Sequence, residues 1–112
     1  MKYYYNLYIS DELETKKDEI ISKLENGRIQ INKYLIVLTQ NEKNHLEFYD
    51  SVMLQQEIFS KQDLFLIGIA EGYPGALKLV EKITQDTYRE TGNANIRNYI
   101  LKKQAEFEER IV

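Results

Sequence analysis

The residues best placed to do chemistry lie in Gly68-Ile69-Ala70-Glu71-Gly72-Tyr73-Pro74-Gly75, where an apolar run gives way to a glycine-containing loop. Free backbone N–H groups at a helix start after such a loop can hold an anion. The spacing matches neither GxGxxG nor GxxxxGK followed by Ser or Thr, Glu71 would repel phosphate, and Pro74 has no N–H to offer. A plain strand-to-helix turn accounts for the same residues without a ligand. If the first, second and last strands ran parallel, their carboxyl ends would gather Ser10, Asp11, Thr39, Asn41, Glu71 and Tyr73 on the edge that ligands of open α/β sheets favour. Asp11 and Glu71 would then offer oxygen atoms to Mg²⁺ or act as a general base. The simpler reading makes Asp11 the cap of the first helix. The candidate ligand set is Asp11, Glu71, Gly72, Tyr73 and Gly75, with no metal site, cofactor or catalytic residue assigned.

Two other constellations invite a functional reading. His45 is the single imidazole, and on a strand it would share a face with Glu47 and Tyr49, where a carboxylate could orient or charge it. The solvated side of a hairpin has the same pattern, and no serine stands near it in sequence. Four of the nine tyrosines crowd at Tyr3, Tyr4, Tyr5 and Tyr8. Tyrosine favours contact surfaces, so Tyr4 and Tyr8 are the candidate interaction residues, and an exposed first strand could pair with another chain along its edge. Equally, strand tyrosines can cover their own sheet. Exposed Tyr4 and Tyr8 could also stack on RNA bases, although no RNP-like segment supports that reading.

These residues must be positioned by a small number of elements. Lys2 to Ile9 alternates with period two, placing Tyr3, Tyr5, Leu7 and Ile9 on one face and Tyr4, Asn6 and Tyr8 on the other. Asp11 and Glu14 have capping-box spacing, with Leu13, Ile20, Ile21 and Leu24 following at helical intervals and Gly27 as the stop. Tyr34 to Thr39 and the stretch through Leu46 and Phe48 predict an antiparallel hairpin. Ser51 to Gln62 fits a short helix better than a continuing strand. Asp63 to Ala70 is the most apolar segment and predicts a central strand covered on both faces. A helix then opens near Pro74, buries Ala76, Leu79, Val80, Ile83 and Thr87, and stops at Gly92. The last helix, capped by Asn93 or Asn95, carries Ile96, Tyr99, Ile100 and Phe107 on one side. The order β-α-β-β-(short α)-β-α-α predicts an α/β or α+β fold, a mixed sheet of about four strands with helices packed on it.

Composition narrows the function classes. The 112 residues, 43% hydrophobic and 29% charged, suit one globular domain spanning residues 1–112 with a frayed carboxyl end. Having no cysteine excludes disulfides, thiolate zinc sites and thiol catalysis. The net charge of −3, from 15 basic and 18 acidic residues without a block of either sign, argues against nucleic acid as a partner. No apolar run is long enough for a membrane span, and the amino terminus lacks the pattern of a secretion signal, so a cytoplasmic location is expected. The leading expectation is a non-catalytic protein-interaction or regulatory domain that binds a protein partner or a second copy of itself. The alternative is a small-ligand or anion binder, or a hydrolase, using the carboxyl edge near Glu71–Gly75.

Overall fold

The computed structural model describes residues 1–38, 46–55 and 64–111. The expectations placed on Thr39, Asn41, His45, Asp63 and most of Ser51–Gln62 lie outside them. The elements run in the expected order: β1 (Lys2–Ile9), a 3-10 segment (Asp11–Lys16), α1 (Lys17–Glu25), β2 (Lys33–Leu38), β3 (Leu46–Asp50), a second 3-10 segment (Ser51–Gln55), β4 (Phe65–Glu71), α2 (Gly72–Thr91) and α3 (Ile96–Arg110).

They form one mixed sheet with spatial order β1-β4-β2-β3. β1 pairs parallel with β4, whereas β2 is antiparallel to both β4 and β3. The apolar β4 is therefore interior to the sheet and covered on both faces, as its unbroken hydrophobic run predicts. On one face, Tyr4, Ile36, Leu38, Ile67 and Ala70 meet Ala76, Leu79 and Ile83 of α2 and Ile96 and Ile100 of α3. On the other, Leu7, Leu35, Val37, Leu66 and Ile69 meet Leu13, Ile20, Leu24 and Leu54.

Two irregularities disturb the period of two beside β4. Ile36 pairs with Gly68 and Val37 with Leu66, leaving Ile67 as an extra residue in β4. This bulge turns both Ile67 and Gly68 toward α2, where a Cβ on Gly68 would stand 3.1 Å from Leu79 Cδ2 and 3.2 Å from the Tyr8 carbonyl. On the other flank, Tyr3 pairs with Leu66 and Tyr8 with Gly68, so the chain between them departs from regular pairing. Tyr5 consequently leaves the face predicted for it and stacks on Phe107 of α3, with ring centroids 4.6 Å apart.

The first half of β1's outer edge is not the free edge that its position suggests. Gln104, only 7% exposed, accepts a 2.8 Å hydrogen bond from the Tyr5 N–H, and Lys2 pairs with Glu108 at 3.2 Å. With the Tyr5–Phe107 stack, these contacts lay α3 along the first half of β1. A helix covering a strand edge removes the template on which another chain would pair.

Candidate functional site

The carboxyl ends of the parallel pair β1 and β4 lie side by side, and α2 starts directly from β4. Ser10 links them: its N–H donates to the Ile69 carbonyl at 3.0 Å, and its Oγ accepts the Glu71 N–H at 3.1 Å. Gly75 lets α2 approach this junction, since a Cβ there would stand 3.3 Å from Ser10 Oγ. Around the junction opens a cleft of about 430 Å³ lined by Asp11, Glu71 and Gly75 from the expected set, with Lys78 and Lys82 from α2. Ile9, Pro74 and Leu79 supply its apolar lining.

The other members of the set serve elsewhere. Gly72 is buried and donates its N–H to the Asn32 carbonyl at 2.8 Å. With Pro74 lacking an N–H, a backbone anion cradle at this loop loses two of its donors, which favours the plain strand-to-helix turn. Tyr73 is not part of the cleft lining; its ring lies 6.1 Å from Tyr34 and 5.6 Å from Phe48. Asp11 is not the cap of the first helix, because Ser10 precedes a 3-10 segment without a side-chain cap bond, and α1 begins only at Lys17. The all-parallel arrangement also fails: β2 is reversed, with Leu38 beside Phe65 and Lys33 beside Glu71. The carboxyl end of β2 therefore points to the opposite edge, and its amino end contributes Lys33 to this one.

Lys33 changes the character of Glu71. Its ammonium lies 2.7 Å from Glu71 Oε2, and Asn32 Nδ2 donates to Oε1 at 3.4 Å. The hydrogen-bonded Lys33 is the main reason the carboxyl titrates below its ordinary range, despite the opposing effect of burial. Glu71 therefore stays ionised and paired near neutral pH, which suits a structural anchor better than a proton carrier.

The expected tyrosine surface is corrected more sharply. Tyr4 is 3% exposed and belongs to the core under α2 and α3. Tyr8 is half-buried and donates to Asp86 Oδ2 at 2.8 Å, while Arg89 holds the other oxygen of Asp86 at 2.9 Å. Burial, followed by the bond to Asp86, raises the Tyr8 phenol well above its ordinary value, and burial also dominates the rise at Tyr4. Both rings face inward because Tyr4 and Tyr8 belong to the side of the sheet under α2 and α3, while the opposite side packs under α1 and the 3-10 segments. Period-two alternation identifies this shared face but carries no sign that both faces are covered.

Lys78 and Lys82 lie on α2, outside the apolar stripe Ala76, Leu79, Val80, Ile83 and Thr87. Their four-residue spacing placed them on one helix face; that this face borders the ends of β1 and β4 follows from packing. Among the described residues, no group of His, Asp and Glu side chains is arranged to hold a metal ion. No helix among them is long and apolar enough to cross a membrane. Compared with protein-family models, curated proteins and solved structures, the chain has no significant match.

Proposed function

We propose that this domain binds a small polar molecule in the cleft at the carboxyl ends of β1 and β4, without covalent chemistry. The observation that carries the reading is the convergence of Asp11, from the first strand's end, with Glu71 and Gly75, from the far half of the chain, around one cleft of about 430 Å³. That volume falls within the roughly 300–1,000 Å³ usual for small-molecule sites. Its place beside the strand ends is where open α/β sheets hold ligands. The pairing of Glu71 with Lys33 favours binding over hydrolysis, because the central carboxylate is already engaged.

Thermal unfolding against a panel of metabolites tests this proposal. A ligand at about one hundred times its dissociation constant adds roughly 2.7 kcal/mol and raises the midpoint by several degrees. Asp11 is exposed, so Asp11→Ala should retain the fold and abolish the rise. An unchanged midpoint throughout the panel would count against the cleft and favour a second reading, a protein-interaction domain.

That second reading now stands on different aromatics. Tyr73 is 53% and Leu77 47% exposed, and Tyr73 clusters with Tyr34 and Phe48 beside β3, an outer strand of the sheet. Under this reading, Leu77→Ser would lower the self-association seen by light scattering. A monomer unaltered by concentration would remove the homodimer version.

A further inference from the structure

The charges around the cleft are divided by wall. Asp11 and Glu12 open the 3-10 segment after β1, and Lys78 and Lys82 project from successive turns of α2. None of the four forms an ion pair with a described residue, although Lys2–Glu108, Lys23–Glu19, Lys33–Glu71 and Arg89–Asp86 all close to 3.2 Å or less. Lys82 instead holds its ammonium 6.0 Å from the centre of the Tyr8 ring. Apart from Glu71, which Lys33 neutralises, two acids and two bases thus border one cleft without pairing with each other.

Such a cleft discriminates by charge arrangement. A simple anion gains from the lysines but is repelled by Asp11 and Glu12, and a simple cation meets the converse conflict. A molecule with both charges, aligned between the walls, is attracted at both ends. We propose that the cleft selects a zwitterion of the amino-acid class, its carboxylate facing Lys78 and Lys82 and its ammonium facing Asp11 and Glu12. The proposal rests on the ligand-binding reading above and specifies the chemistry of that same site.

Heteronuclear NMR titration of the whole domain tests it with glycine, β-alanine, γ-aminobutyrate, ε-aminocaproate and glycylglycine, beside butyrate and butylamine as single-charge controls. At least one zwitterion should shift the amides of Ser10–Glu12 and Gly75–Lys82. It should bind up to about fivefold more tightly than either control, as a second charge pair in an exposed site would allow. The preferred chain length measures the separation of the walls, and glycylglycine against the free amino acids distinguishes a peptide from a single residue. The double variant Asp11→Asn/Glu12→Gln should reduce zwitterion affinity to that of butyrate, and Lys78→Gln/Lys82→Gln to that of butylamine. All four positions are exposed, so a preserved amide spectrum separates lost binding from lost fold. If butyrate or butylamine binds as tightly as every zwitterion, charge-pair selection is overturned while the ligand site survives. If neither these compounds nor the metabolite panel moves the cleft amides, both readings fall.

Discussion

One face of the sheet is covered by a twenty-residue and a fifteen-residue helix, the other by the nine-residue α1 and two 3-10 segments. The first cover carries long apolar stripes, with Ile83 and Ile100 completely buried. The second reaches its core through shorter pieces, and 3-10 geometry makes poorer hydrogen bonds than an α-helix. Both faces exclude water, but they differ in how much structure supports each buried side chain. The difference reaches the cleft: Lys78 and Lys82 stand on the long helix, Asp11 and Glu12 on the short segment. One charged wall is anchored by many turns and the other by a single short element, where local opening costs less.

The largest expected effects test this contrast in the core. Ile83→Ala, in α2, should destabilise the domain by about 4 kcal/mol, toward the upper end of buried aliphatic truncations. Ile20→Ala, in α1, should cost about 2 kcal/mol because the shorter cover can relax around the lost volume. Urea unfolding measures both; equal losses would show that the two covers support their cores alike.

A middle-sized effect is expected where the helical cover approaches the sheet most closely. Gly68→Ala should cost about 1–3 kcal/mol, because its methyl presses on Leu79 and on the Tyr8 backbone. Pairing Gly68→Ala with Leu79→Ala sharpens the test. Removal of the larger side chain should relieve part of the clash, and purely additive losses would place the strain in the backbone instead.

The smallest effect concerns the ion pair at the cleft. The folded Glu71 carboxyl is shifted downward, chiefly by its hydrogen bond to Lys33, so its contribution is fully present above the unfolded carboxyl range and disappears as pH falls through the folded value. Glu71→Gln should therefore cost less than about 1 kcal/mol at neutral pH, consistent with a partly exposed pair. Its loss relative to wild type should diminish as the solution is acidified. A deficit that stayed constant into strong acid would assign the effect to packing rather than charge.

The extent to which the fold was legible varied with the kind of signal. The stripe Ala76, Leu79, Val80, Ile83 and Thr87 predicts which side of α2 enters the core, and Ala76, Leu79, Ile83 and Thr87 are buried there. Of the two candidate caps of α3, Asn95 accepts the Asn98 N–H. Both signals are local: the cap acts within one turn, and the stripe repeats at three- and four-residue spacing along a single helix. Tyr4 shows where such reasoning stops: alternation placed it with Tyr8 on one face, but packing alone decided that α2 and α3 cover that face. Gln104 reads as an unremarkable polar residue in a charged helix, yet it is buried because the Tyr5 N–H at the sheet edge takes its side-chain oxygen as acceptor. The candidate site divides in the same way. Asp11, Glu71 and Gly75 were legible from their places at element ends, while Lys33 required the reversal of β2.

The sequence by itself determined the order and type of the elements, since hydrophobic period, turn residues and caps are local and act before distant segments meet. Only the tertiary structure decided the strand order, the direction of β2, the burial of Tyr4 and the gathering of Asp11 and Glu12 with Lys78 and Lys82 around one cleft. Those outcomes depend on contacts between residues far apart along the chain, where the same local pattern is compatible with several packings.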